Sequence, residues 1–138
     1  MSEKNENKKK PSFDFDKLQD FLLENPSLAK SGASKGVFSL GVLVQLVFAL
    51  QQYNLQSTPF KEKLKGLNMT PKDIERIFRE AVEKIKQYEE PPGDYYKKLR
   101  EYLAEYLLLY RAQINKMSNQ EISFNFVCGL ELGRKFKS

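Results

Sequence analysis

Histidine and tryptophan are missing from this 138-residue sequence, and cysteine occurs once. Without histidine there is no His-ligated metal site, no Ser-His-Asp triad and no Cys–His pair. With Cys128 alone there is no intrachain disulfide and no multi-cysteine zinc or iron–sulfur centre. Its context, FNFVCGLEL, reads as a small hydrophobe in a core. The missing tryptophan excludes little. No glycine-rich phosphate loop is present, since Gly32 and Lys65–Gly66 stand isolated. No apolar stretch follows the lysines of MSEKNENKKKPS closely enough to form a secretory leader. The longest apolar run, Val37 to Leu50, is broken by Ser39 and Gln45. As helix it spans about 21 Å, short for a bilayer and suited to a central core helix. These absences predict an intracellular, cytoplasmic chain with no membrane contact and no cofactor.

What remains is a mildly basic, moderately apolar chain. Lys and Arg number 23 against 18 Asp and Glu, a net charge of +5, and 41% of residues are apolar. That suits one domain with a core. Residues 1–12 are polar, carry KKKP and read as a flexible lead; the domain is expected over 13–138. A short helix is predicted from Phe15 to Glu24, with Leu18, Phe21 and Leu22 on one side and Asn25–Pro26 as its stop. Residues 27–35 read as an exposed loop. In GVFSLGVLVQLVFALQQYN, Val37, Leu40, Val44 and Val47 recur at helical spacing, and Leu43, Leu46 and Leu50 widen the face. The β-branched residues allow a strand, but the length with Leu, Ala and Gln favours a helix covered on several sides. Gln51 and Gln52 mark its exit.

STPFKEKLKG reads as a small helix capped by Ser57 or Thr58, started by Pro59 and ended by Gly66, with Phe60 and Leu64 pinning it. In the next segment Thr70 is the expected cap, Pro71 the first residue and Asp73 a favourable first-turn charge. Ile74, Ile77, Phe78, Ala81, Ile85 and Tyr88 form its apolar face, and Glu75–Arg79 and Glu80–Lys84 are expected ion pairs. Pro91, Pro92 and Gly93 end it. Asp94 is the expected cap of a continuous helix, DYYKKLREYLAEYLLLYRAQI, packed through Tyr95, Leu99, Tyr102, Leu103, Tyr106 and Tyr110, with Leu107 beside them. In the last segment Ser118 and Glu121 fit a capping box. Ile122, Phe126 or Val127, Leu130 and Phe136 are core candidates, Phe124 sits aside, and Gly129 and Gly133 suit close helix approach. The whole is expected to be all-α: a compact bundle of four main helices plus one or two short ones.

Little in this chain supports catalysis. The acidic pairs Asp14–Asp16, Glu80–Glu83 and Glu89–Glu90 read as solvated surface, and Ser118 and Ser123 have no histidine to activate them. A metal-dependent nuclease needs converging carboxylates, and no spacing here supplies them. Basic residues say more. Lys72, Arg76, Arg79 and Lys86 share one side of the predicted 71–88 helix, with Glu83 interrupting. Lys97, Lys98 and Arg100 follow the proline turn, and Arg134, Lys135 and Lys137 close the chain. Lys61, Lys63 and Lys65 decorate the small helix. These blocks can follow a phosphate backbone, with Tyr95, Tyr96 or Phe13 available to stack on bases. Acids are interleaved, however: residues 59–90 hold eight basic and seven acidic side chains. An ordinary salt-laced surface therefore competes with the phosphate reading. No base-reading motif is visible, so contact without sequence preference is expected.

Three segments carry a family resemblance: FSLGVLVQLVFALQQ, STPFKEKLKGLNMTPKDIERIF and MSNQEISFNFVCGLELGRKF. Together they resemble the C-terminal helical domain of the large subunit of type I-B CRISPR effector complexes. The matching residues are Leu40 and Gly41; Thr58, Pro59, Phe60, Leu64 and Gly66; then Asn119, Glu121 to Phe124, Phe126, Gly129, Leu132, Gly133 and Arg134 to Phe136. The likeness covers roughly residues 34–137. The large subunit is several times longer, and its PAM-reading N-terminal parts have no counterpart here. In this family the C-terminal region is also made separately, from an internal start, as the small subunit; Met1 and the lysine-rich lead fit such a product. The resemblance then implies a non-catalytic subunit of the Cascade surveillance complex. Its partners would be the backbone filament, the large subunit, further copies of itself and the guide RNA–target DNA complex. It would stabilise the R-loop by backbone contacts while base pairing supplies specificity. The alternative is a purely structural spacer that touches protein alone.

Overall fold

The computed structural model describes residues 13–28, 30–65, 69–88 and 94–136, with the backbone alone at 94–96. Within them the architecture is all-α, with seven α-helices and no strand. They are α1 (Phe15–Glu24), α2 (Gly32–Leu55), α3 (Pro59–Leu64), α4 (Pro71–Tyr88), α5 (Asp94–Leu109), α6 (Arg111–Lys116) and α7 (Asn119–Leu132). A 3-10 turn, Gly133–Phe136, closes the fold. The expected lead 1–12, Gly66, the Pro91–Gly93 turn and the Asp94 cap side chain lie outside the described residues.

Every other helix is arranged around α2. Each residue from Gly36 to Val44 is buried, as are Leu46, Val47, Phe48 and Leu50. The apolar segment lacks one dominant face because α4, α5 and α7 cover different sides of it. The helix is longer than its apolar run suggested. Ser31 caps it, its side chain accepting from the Ser34 N–H at 3.1 Å, so the loop expected over 27–35 ends at Ser31. At about 36 Å, α2 meets the length and composition of a membrane span, and the short-run argument against one does not hold. Within the described residues, 78% of its most apolar window lies inside the bundle, as in the core helix the apolar run suggested.

Gln51 does not mark an exit: it is fully buried. Its Oε1 accepts the Phe60 N–H at 2.9 Å, and its Nε2 donates to the Tyr88 hydroxyl at 2.9 Å. Thr58 occupies the cap position of α3 but makes no side-chain cap bond. The orphan N–H in the first turn of α3 is therefore satisfied from α2. One amide joins the end of α2, the start of α3 and the end of α4.

The closest packing is between α2 and α7. A Cβ on Gly129 would collide with the Phe38 carbonyl oxygen, and one on Gly41 with the Phe126 carbonyl oxygen and the Leu130 nitrogen. Both obstacles are backbone, so the expected close approach at Gly129 is found, with Gly41 as its opposite number. Ser118 and Glu121 form the expected capping box of α7. Phe126, not Val127, enters the core. The closing turn returns Phe136 to the beginning of the fold, where its carbonyl accepts the Asp14 N–H at 2.7 Å. Phe21 lies edge-on to the Phe136 ring at 5.4 Å.

The single helix expected over 94–114 breaks at Tyr110, which takes φ −106° and ψ 20°. Among the described side chains of α5, Leu99, Leu103 and Leu107 are buried, while Tyr102, Tyr106 and Tyr110 form a half-buried row of rings tilted 34° to one another at 4.5 and 5.4 Å. The break swings α6 toward α4. There Arg111 meets Glu75 twice, Nε to Oε1 at 2.8 Å and an Nη to Oε2 at 3.0 Å. Glu75 thus pairs across helices and not with Arg79 as expected.

Glycine substitutions test the crossing. Gly129→Ala is expected to lower unfolding free energy by about 3 kcal/mol, the upper range for overpacking. Gly36→Ala has room, with its nearest neighbours at 3.6 and 3.7 Å, and is expected to raise stability by about 0.5–1 kcal/mol through helix propensity. Urea denaturation of both variants checks the contrast. Gln51→Leu, which strands the Phe60 N–H, is expected to cost about 2 kcal/mol and to speed exchange of that amide first.

Candidate nucleic-acid interface

α4 is built to show one face to the core and the other outward. Ile74, Ile77, Ala81 and Ile85 are buried, which turns Lys72, Arg76, Arg79 and Lys86 to the opposite side. Its first turn is fixed by Asp73, whose Oδ2 accepts the Thr70 N–H at 2.9 Å and the Thr70 hydroxyl at 2.8 Å. Thr70 therefore donates here, the reverse of the expected cap. The other carboxylate oxygen takes the Arg76 guanidinium at 2.8 Å. The hydrogen bond from Arg76 is the main cause that holds the Asp73 carboxyl below its ordinary range, and the same bond raises Arg76.

That network continues. Glu80 binds Arg76 at 3.5 Å and Lys63 of α3 at 2.9 Å, so it does not pair with Lys84 as expected. Lys86 approaches Glu83 at 3.8 Å. The outward stripe thus divides. Arg76 and Lys86 are partly neutralised by neighbours. Lys72 and Arg79 are exposed and make no ion pair among the described residues.

Other sequence-predicted residues fall in two places. Lys97 and Lys98 are exposed on α5. Arg100 lines a depression of about 410 Å³ between α4 and α5, where Arg79 also stands. The fold therefore brings those two arginines together. Arg134 and Lys135 occupy the closing turn, packed with α1, α2 and α7. Lys135 lies 5.9 Å from the centre of the Phe21 ring, a cation–π contact. Phe13 is buried, which removes it as a stacking surface. The side chains of Tyr95 and Tyr96, Lys137 and the pair Glu89–Glu90 lie outside the described residues.

The depression itself was missed from sequence. Phe78 and Val82 of α4 and Ala104 of α5 supply its apolar wall, with Glu83 and Glu101 also at its edge. The available signal was Ala104, a small residue between Glu101 and Glu105 that lies off the Leu99–Leu103–Leu107 stripe. Asp14 is the N-cap of α1. Among the described residues no three His, Cys, Asp or Glu side chains converge as a metal site would need. Cys128 is half-buried, and its thiol is pushed up first by burial and then by the Glu131 carboxylate.

A sequence model of one family, the CRISPR-associated protein TM1802 (cas_TM1802) C-terminal domain, matches residues 1–138. The match agrees with the motif resemblance and extends over the first 33 residues, which the motifs did not reach. No curated protein and no solved structure matches the chain.

The Asp73 network has a pH signature. A carboxyl lowered in the folded state stabilises above its unfolded value and loses that contribution as pH falls through the folded value. Asp73→Asn is expected to be less stable than the parent at pH 7, with the gap closing at a pH below about 4. Urea unfolding at both pH values checks it; an equal gap at each would contradict the assignment.

Proposed function

The chain belongs to the family of CRISPR-associated TM1802 C-terminal domains, and from that premise we propose that it is a non-catalytic subunit that helps to hold unwound target DNA. A domain of this family works in the setting of a CRISPR complex. The finer reading is that the chain acts as the small subunit of a type I-B Cascade complex in the cytoplasm. There it would support the R-loop beside the backbone filament and the large subunit.

One observation carries the nucleic-acid part: the outward face of α4 presents Lys72 and Arg79 without ion pairs among the described residues, with Arg100 across the depression from Arg79. Cations on a rigid helix at turn-length spacing can follow successive phosphates. Such contacts add backbone energy and leave sequence to RNA–DNA pairing. A second reading, a protein-contacting spacer, is favoured by the carboxylates that tie up Arg76, Lys63 and Lys86.

The two readings separate on salt. In the assembled complex, Lys72→Glu with Arg79→Glu is expected to weaken target-strand retention. The slope of log affinity against log salt is expected to shallow by roughly 1.5 for two lost phosphate contacts. Unchanged affinity and slope, with assembly intact, would favour the spacer.

A further inference from the structure

We infer that α1 is a releasable strap: it leaves the bundle as a unit while the helices packed on α2 stay together, because its seat buries polar groups that docking does not satisfy. This motion needs neither nucleic acid nor a second copy of the chain.

α1 carries its own caps. Asp14 starts it, its Oδ1 accepting the N–H groups of Asp16 and Lys17 at 3.0 and 3.2 Å. Asn25 closes it, its main-chain N–H and its Nδ2 donating to the Phe21 carbonyl at 3.0 and 2.9 Å. Both caps travel with the helix. The outer side, with Asp16, Asp20, Leu23 and Glu24, is exposed, so α1 can lift away without another helix moving first. On the inner side it rests on α5 and the closing turn. Among the described residues one main-chain bond ties it to another element, from the Asp14 N–H to the Phe136 carbonyl. The rest of the seat is side-chain packing. Leu18 and Leu22 are buried, Phe15 meets Tyr102 edge-on at 5.3 Å, and Phe21 stacks on Phe38 at 6.1 Å. By contrast, α7 is held by backbone packed on backbone at Gly41 and Gly129.

The seam beneath α1 is polar. Ser39 of α2 is fully buried, and its Oγ has no hydrogen-bond partner among the described residues. The buried Nε2 of Gln19 on α1 is in the same condition. The Tyr102 hydroxyl of α5 lies beside both. Its pKa is pushed up to about 12, first by burial and then by Tyr106, while Ser39 and Gln19 draw it down. Three helices thus bring polar groups together without closing a well-formed network. Docked, α1 keeps Gln19 and Ser39 dry and unsatisfied; released, it lets both bind water. That penalty works against the apolar gain from Leu18, Phe21 and Leu22 and lowers the free energy of opening α1 alone. Opening bares Phe38 and Phe136. A helix of ten residues does not hold its hydrogen bonds alone in water, so the amides of α1 report each release.

Native-state hydrogen exchange on the full-length chain tests the strap. Amides at 19–24 are expected to exchange roughly 100-fold faster than those at 40–50 and 123–132, with little dependence on added urea. Gln19→Met keeps the length and helix propensity of the side chain and removes its amide. It is expected to slow exchange of α1 roughly tenfold. Leu18→Ala is expected to speed that exchange roughly tenfold or more, with the amides of α2 and α7 still protected. Amides of α1 that exchange only together with those of α2 and α7, in one global step, would overturn the proposal. So would a Gln19→Met chain that folds but whose α1 exchanges no more slowly than the parent's.

Discussion

The backbone crossing at Gly41 and Gly129 is the constraint on which the rest of the fold depends. Without side chains at those positions, α2 and α7 approach until carbonyl oxygens and Cα atoms are in contact. That proximity lets α7 seal one side of an unusually apolar helix and aims the closing turn at α1. Phe136 can then accept the Asp14 N–H and pack on Phe21, which in turn lies against Phe38 of α2. A methyl group at either glycine would push α7 outward and loosen all of these contacts together.

Much of this was legible because it is local or periodic. The 3.6-residue spacing of Ile74, Ile77, Ala81 and Ile85 sets the face of α4 without reference to the rest of the chain. Ser118 and Glu121 are three apart and can cap only the helix that begins between them. The features that escaped are decided by partners distant in sequence. Gln51 reads as polar and hence as an exit, yet it is buried because Phe60 and Tyr88 satisfy both ends of its amide. Glu75 has Arg79 four residues away, but the break at Tyr110 delivers Arg111 in better geometry. The basic stripe on α4 was readable as a face. Its division into engaged and unengaged cations was not, because Lys63 and Glu80 meet across two helices.

That division reshapes the meaning of a net charge of +5. Arg76 is held chiefly by Asp73, and Asp73 also orders the first turn of α4 through Thr70. Part of the stripe thus serves the fold, leaving Lys72 and Arg79 as the outward charges of α4 best placed to meet a phosphate. A few such contacts per copy suit a subunit that shares a long strand with its neighbours, because counterion release adds across copies. Family membership supplies a CRISPR-complex setting, and the glycine crossing gives the proposed accessory role a rigid platform.

The central claim is that the outward face of α4 lies on target DNA in the assembled complex. Site-specific photocrosslinking from position 72, with the complex bound to target, tests it most directly. The account predicts adducts to an unwound DNA strand that depend on target and guide pairing. Adducts confined to neighbouring protein subunits, with target fully bound, would contradict it.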